Sequence, residues 1–313
     1  VKTRLTFFTI SGDTFFAPFI PHLQDEYDIK IFSRGDKEEF YQMLHDTDIA
    51  WFEWSNELIA QHSKAAKFCK YIVRLHSYEM FTPYPGDTDW SKIDKLIFVS
   101  DVVKQISTQK FNIPKNITTL IPNGVDTDKF TIPKDKKYNK KVAYVGYINY
   151  KKGPQLLLQA FKAIYDYDPN FEFYIAGKHQ DERINLYFQG MEKHLPFKIN
   201  YTPWVDDVPK YLEDKDYVIS TSLFESFQYS IAEGMASGCI PLVHTWLGSD
   251  GIYPSKCIFS DTKECVQIIK NFENAKEKDK IRNDMRKWIV DSFSFKKQLA
   301  SVKETIKEVE EMK

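Results

Sequence analysis

The chain has 313 residues, a net charge of −1, and 42% hydrophobic and 15% aromatic side chains. Its length sets two domains as the working expectation, and its apolar content suffices for two cores, which excludes intrinsic disorder. A balance of 43 basic against 44 acidic residues excludes a protein whose main task is neutralising nucleic-acid phosphates.

From the amino end, runs of β-branched and aromatic residues predict strands at Leu5–Ile10, Ile29–Phe32, Ile49–Phe52, Tyr71–Leu75, Lys95–Val99 and Thr118–Ile121. Helical patterns lie between them near Phe19–Tyr27, Lys37–His45, Glu57–Lys67 and Val102–Lys110. Pro133–Lys141 carries five lysines and almost nothing apolar, and reads as a solvated linker rather than a phosphate-attracting patch. The alternation then restarts, with strands at Val142–Gly146, Phe171–Ala176, Tyr217–Ser220, Ile240–Val243 and Cys257–Phe259. Helices are expected at Pro154–Tyr167, Asp181–Lys193, Val208–Glu213, Ser230–Ser237, Lys263–Asn274, Asp279–Val290 and Phe295–Glu311. Strands alternating with helices mean parallel sheets wrapped by helices. The expected domains are 1–133 and 134–294, followed by a terminal helical segment at 295–313, with a ligand cleft between the two domains.

Cys69, Cys239, Cys257 and Cys265 form no C-x-x-C pair and read as reduced thiols, neither a disulfide frame nor a zinc site. No apolar run reaches the roughly 18 residues that span a bilayer. Ser11, Gly12 and Asp13 interrupt the first apolar stretch, so no signal peptide is expected. The expected location is cytoplasmic, with a place at the inner membrane surface, and peripheral membrane contact, left open.

D-x-D occurs at Asp46/Asp48, Asp87/Asp89, Asp126/Asp128, Asp166/Asp168 and Asp214/Asp216, several of them in apparent turns where Asp bonds its own backbone. The first strand is followed by Ser11-Gly12-Asp13-Thr14 rather than G-x-G-x-x-G, which argues against a standard dinucleotide domain. No P-loop, G-x-S-x-G or H-E-x-x-H motif is present.

The informative segment is YVISTSLFESFQYSIAEGMASGCIPLV, Tyr217 to Val243. Glu225 falls in the loop before a helix, where free N–H groups and the helix dipole favour anions and hydrogen-bonded ligands. Glu233 falls within that helix among Ala232, Gly234, Ala236 and Gly238, small residues that let it lie close to the sheet. Carboxylates near the carboxyl ends of parallel strands suit the hydroxyls of a sugar or ribose.

This segment resembles the E-x7-E signature of the retaining glycosyltransferases of family 4, which have the GT-B fold. Ile121-Pro122-Asn123-Gly124-Val125-Asp126 followed by Phe130 resembles the family's I-P-N-G-V-D-x-x-x-F segment, and Val145 to Gly153 resembles its V-G-R-L-x-x-x-K-G turn. The resemblance implies two Rossmann-like α/β/α domains facing across a cleft, the last helix crossing back to the first domain. It implies that Glu233 holds ribose hydroxyls, that Glu225 contacts donor-sugar hydroxyls with help from the N–H groups of Ser226 and Phe227, and that Lys152 neutralises the diphosphate. His76, ending the strand YIVRLH, is similar to the histidine that reaches the sugar from the first domain. Gly12 would let the backbone approach the diphosphate, although the family's glycine pair is not matched. Trp204 and Val205 fall where the family contacts the base, with a core role for Trp204 as the alternative.

One position departs from the pattern: Tyr147 stands where the family has Arg, replacing a forked cation by one hydroxyl, and Lys151 is the candidate substitute. The implied reaction is metal-independent hexosyl transfer from a nucleoside diphosphate sugar to a hydroxyl of a glycan, lipid-linked or protein acceptor. Retention would come through front-face attack, without a side-chain nucleophile, cofactor or nucleic-acid partner. Asp206 and Asp207 read as the start of a helix rather than a hydrolytic pair. The aromatic residues Phe15, Phe16, Phe19, Trp51, Phe52 and Trp54 read as core, with an acceptor surface as the alternative. A sugar-nucleotide epimerase, a non-catalytic binding subunit and a metal-dependent transferase remain as competing readings.

Overall fold

The computed structural model describes residues 1–10, 12 and 14–312, so Ser11 and Asp13, which flank Gly12 in the expected first turn, lie outside the described residues. The chain divides into two compact units, Val1–Asn123 with Lys296–Lys313, and Gly124–Phe295. Residues 124–133, which the linker reading gives to the first domain, therefore belong to the second.

The first unit carries β1 (Thr3–Phe8), α1 (Ile20–Leu23), β2 (Tyr27–Phe32), α2 (Lys37–His45), β3 (Ile49–Glu53), α3 (Glu57–His62), β4 (Lys70–Leu75), α4 (Tyr84–Asp87), β5 (Lys95–Phe98), α5 (Asp101–Lys110) and β6 (Thr118–Leu120). Its strands form one sheet in the order β2-β1-β3-β4-β5-β6, every neighbouring pair parallel. All five residues of β3 are buried, as befits a central parallel strand covered on both faces. The helix expected over Phe19–Tyr27 stops at Leu23, because Tyr27 is already paired with Thr3 in β2. Side chains of Asp36, Asn56 and Ser100 cap α2, α3 and α5 by accepting from backbone N–H groups in their first turns.

The second unit carries β7 (Lys141–Val145), α6 (Pro154–Tyr167), β8 (Glu172–Ala176), α7 (Glu182–Glu192), β9 (Ile199–Thr202), α8 (Val208–Leu212), β10 (Tyr217–Ser220), α9 (Tyr229–Ala236), β11 (Ile240–His244), β12 (Ile258–Phe259), α10 (Thr262–Glu273) and α11 (Lys278–Phe293). These strands form a second parallel sheet in the order β12-β11-β10-β7-β8-β9. The sequence reading omits β9, a half-exposed edge strand of mixed polarity, INYT, without an apolar run. The final helix α12 (Phe295–Glu311) returns to the first unit from Lys296 onward. It buries Val302, Ile306 and Val309 on one stripe and pairs Glu308 with Lys95 at 2.7 Å and Lys303 with Glu26 at 2.6 Å.

The lysine-rich stretch is not a free linker. Arg282 of α11 donates to the Lys136 carbonyl at 3.0 Å and Lys136 donates to the Leu212 carbonyl at 3.0 Å, while Arg286 holds the residues just before the stretch by donating to the carbonyls of Thr127 and Phe130. Lys140 pairs with Asp168, and Lys141 pairs with Asp214 at 2.7 Å. These cations are spent on the fold of the second unit rather than held for a phosphate. All four cysteines are free, and no helix among the described residues is long and apolar enough to cross a membrane.

Candidate active site

In the second unit the loops after β7 and β10 are built as one piece. After β7, Asn149 caps a short 3-10 turn, Tyr150–Lys152, and Gly153 follows at φ +60°. A Cβ at Gly153 would lie 2.1 Å from the Thr221 carbonyl oxygen, so only glycine allows the two loops to touch. The Thr221 hydroxyl donates to the Lys152 carbonyl at 2.8 Å, and the Leu223 N–H donates to the Lys151 carbonyl at 2.8 Å.

This junction brings Glu225, Lys151 and Lys152 together. Lys152 Nζ donates to Glu225 Oε1 at 2.5 Å, Lys151 Nζ donates to Oε2 at 2.8 Å, and the Ser222 hydroxyl adds a third bond to Oε1 at 3.0 Å. Glu225 is buried. Burial by itself would push its carboxyl up, but the Lys152 and Lys151 ammonium groups outweigh that and hold it below the usual carboxylate range. Two ammonium groups converge on one anion here, and both remain partly open to solvent. Among the described residues the N–H groups of the buried Ser226 and Phe227 donate to no acceptor.

Tyr147 is half-exposed at 46%, and its carbonyl is fixed by the Tyr144 hydroxyl at 2.7 Å. Its ring centroid lies 6.4 Å from that of Trp204. Trp204 is 59% exposed, which removes the core alternative. Lys178 lies 6.0 Å above the Trp204 ring, and its indole donates to Asp206 at 2.8 Å, while Val205 is half-buried. Asp207 caps α8.

Glu233 is half-buried on α9. Gly234 beside it would drive a Cβ to 2.6 Å from the Val218 methyls, so the close helix–sheet approach expected from the small residues is present. Burial pushes the Glu233 carboxyl up to about 7, with the Lys129 ammonium pulling the other way. Lys129 reaches this place because Asp126 folds the preceding turn, accepting from the N–H groups of Asp128 and Lys129. The sequence reading did not mark Lys129, nor Gln228, whose side chain accepts from the Ser220 hydroxyl at 2.5 Å at the start of α9.

In the first unit His76 follows β4 and is not an isolated histidine. Its Nε2 lies 2.6 Å from Glu53 Oε1, and Glu53 also accepts from Trp51 Nε1 at 2.8 Å and from Arg74 at 3.4 Å. Its ring packs between Trp54 and Phe15, with centroids at 4.2 and 4.6 Å. Phe16, Phe19, Trp51 and Phe52 are core as expected, whereas Phe15 and Trp54 are only half-buried. Gly12, at φ +91°, is exposed, with nothing within 4 Å of a Cβ placed on it.

One aspartate of each D-x-D pair already has a partner in the fold: Asp48 with Arg4, Asp89 with Ser91, Asp126 with its own turn, Asp168 with Lys140 and Asp216 with Arg282. Among the described residues no group of three or more His, Cys, Asp or Glu side chains converges on one point.

Residues 139–270 match the family model described as Glycosyl transferases group 1. The chain is 27% identical over 221 residues to the putative glycosyltransferase YtcC of Bacillus subtilis (strain 168), covering 62% of this chain and 54% of the relative. It is 25% identical over 230 residues to the UDP-Gal:alpha-D-GlcNAc-diphosphoundecaprenol alpha-1,3-galactosyltransferase of Escherichia coli, covering 67% of this chain and 59% of the relative. The chain thus spans little more than half the length of these curated relatives. Among solved structures, Anabaena Alr3699/HepE in complex with UDP superposes with a TM-score of 0.82 at 15% identity, over 98% of this chain and 100% of that one. The same protein with UDP and glucose gives 0.80 at 16% identity, over 97% and 99% of the two chains. The fold is GT-B, with two Rossmann-like α/β/α domains.

Proposed function

We propose that this protein is a retaining glycosyltransferase that moves a hexosyl unit from a nucleoside diphosphate sugar, a uridine diphosphate sugar in the first instance, to a hydroxyl of a glycan, lipid-linked or protein acceptor without a metal ion. The observation that carries this reading is the double clamp of Lys151 and Lys152 on the buried Glu225 at the carboxyl end of β10. Support for uridine comes from the UDP complexes of the similarly folded HepE and from the UDP-Gal named for the Escherichia coli relative.

The bond to be broken joins the anomeric carbon to a phosphate oxygen, and negative charge gathers on the departing diphosphate. Preorganised cations and N–H groups at that charge are the strongest catalytic device available to such a site. Lys151, Lys152 and the N–H groups of Ser226 and Phe227 supply them. When the diphosphate draws the two ammonium groups, Glu225 is released to accept hydrogen bonds from the sugar hydroxyls. Glu233 takes the ribose hydroxyls, Tyr147, Trp204 and Val205 the base side, Gly12 the approach of backbone to diphosphate, and His76 the sugar. The acceptor oxygen attacks from the face the leaving group vacates. Its proton passes to the diphosphate oxygen, so a new carbon–oxygen bond replaces the old one, nucleoside diphosphate is released, and no side-chain nucleophile is consumed.

The exposed Tyr147 favours a second reading, a protein that binds a sugar nucleotide without turning it over, because a lone hydroxyl replaces a fixed charge there. Mass spectrometry of UDP-, GDP- and ADP-sugars incubated with the protein in EDTA, beside Glu233→Ala, separates the readings. Release of one nucleoside diphosphate by the wild type alone is expected. Binding with no turnover in the presence of acceptor glycans selects the second reading, and an isomerised sugar nucleotide an epimerase.

A further inference from the structure

We propose that Glu53 is the positioning residue of His76, fixing the imidazole as its Nε2–H tautomer and leaving Nδ1 as the ring's lone-pair acceptor for a hydroxyl. Glu53 lies outside every motif of the glycosyltransferase resemblance. The inference rests on the reading that His76 acts on the sugar.

The arrangement follows from strand register. In the parallel pair β3 and β4, Glu53 is the Cα partner of Arg74. Side chains alternate along a strand, so Trp51 and Glu53 share a face with Arg74 and His76. The pattern W-x-E on one strand thereby meets R-x-H on the next. The Glu53 side chain is fully buried, and both its oxygens are committed, Oε2 to the Trp51 indole at 2.8 Å and Oε1 to His76 at 2.6 Å and Arg74 at 3.4 Å.

A buried carboxyl prefers to be neutral, but here the Arg74 guanidinium, together with His76 and Trp51, overrides burial and holds Glu53 below the usual range. An ionised Glu53 can only accept, so the short contact requires the proton on Nε2. Arg74 is fixed in turn, donating to Asn123 Oδ1 at 2.5 Å and to the Phe15 carbonyl at 3.1 Å. Trp54, whose tilted ring packs against His76, sits at φ +80°, a conformation that a bulky side chain holds only under constraint from its surroundings. The second carboxyl nearby, Glu79, bonds the backbone N–H groups of His76 and Ser55 and not the ring. Burial pushes Glu79 up, opposite to Glu53, although His76 pulls it down. Of the two carboxyls, Glu53 is the one bonded to the imidazole.

The test is long-range proton–nitrogen NMR on the nitrogen-labelled full chain, together with donor kinetics. The wild type should show a single His76 tautomer protonated at Nε2. Glu53→Asp keeps a charge for Arg74 but draws it back from the ring, and Glu53→Gln keeps the shape without the charge. In whichever variant stays folded by circular dichroism, His76 should become a tautomer mixture. Its kcat should fall about tenfold or more, the scale on which partners of a functional imidazole act, with the donor KM within about twofold. A wild-type His76 protonated at Nδ1 overturns the proposal, as does a folded variant with unchanged tautomer and unchanged kcat. The tautomer is read without turnover. A wild type that processes no donor therefore defeats the proposed function while the NMR result still decides the role of Glu53.

Discussion

Lys152 and Glu225, separated by 73 positions in the chain, meet at 2.5 Å because Gly153 lets the loops after β7 and β10 touch. Lys151 closes on the other carboxylate oxygen at 2.8 Å. An anion held between two ammonium groups is the arrangement a diphosphate would exploit, and Glu225 occupies it in the protein's own chain.

That relationship makes Glu225→Gln informative. Without the carboxylate the two lysines are freed, so UDP should bind at least as tightly as to the wild type. Transfer should nevertheless fall about a hundredfold, because the hydrogen bonds to the sugar are lost. Calorimetry and initial rates on the same protein check both halves.

Lys151 is assigned the charge that Arg supplies at position 147 in the resembling pattern. Lys151→Ala should raise the donor KM about tenfold, the scale of one charge-assisted hydrogen bond. In a Tyr147→Arg background the same change should matter less. Tyr147→Arg alone, at a half-exposed position, should shift stability by no more than about 0.5 kcal/mol. A double-mutant cycle on KM measures the coupling, and strictly additive effects would sink the compensation argument.

Gly153→Ala forces a Cβ onto the Thr221 carbonyl, at 2.1 Å before relaxation. It should cost about 2 kcal/mol or more in unfolding free energy, from strain at positive φ and from the loops being pushed apart. Urea denaturation reads this directly, and UDP affinity should fall with it.

Glu233 and Glu225 make opposite contributions to stability across pH. The Glu233 carboxyl is raised to about 7, so its contribution is complete below the ordinary carboxylate range and is lost as pH rises through about 7. The Glu225 carboxyl is depressed, so its contribution is present at neutral pH and is lost only as pH falls through its folded value. Thermal unfolding of Glu233→Gln should therefore show a higher Tm than the wild type at pH 8, with the difference shrinking at pH 5.

The fold was largely legible because parallel strands buried on both faces write themselves as short apolar runs, and β10 was read to its observed limits. The close approach of α9 to the sheet was legible in Gly234 and its small neighbours. What escaped was information that lives between distant residues. The edge strand β9 has no apolar run because half of it faces solvent. The lysine-rich stretch reads as solvated because its partners, Arg282, Asp168 and Asp214, lie far along the chain. The bond between His76 and Glu53 is not legible in the sequence because the two are neighbours only through the β3–β4 register. Strand β3 carries W-x-E and β4 runs into R-x-H at its end, and pairing them by parallel register is the signal that finds the contact.

The central claim, that the Lys151–Lys152–Glu225 junction is a diphosphate site, is tested most directly by titrating UDP into the wild type and Lys152→Ala by calorimetry in EDTA. Saturable one-to-one binding by the wild type and a loss of about tenfold or more in the variant, with both proteins folded, are the expected results. No binding by the wild type, or equal affinity in the two, would contradict the claim.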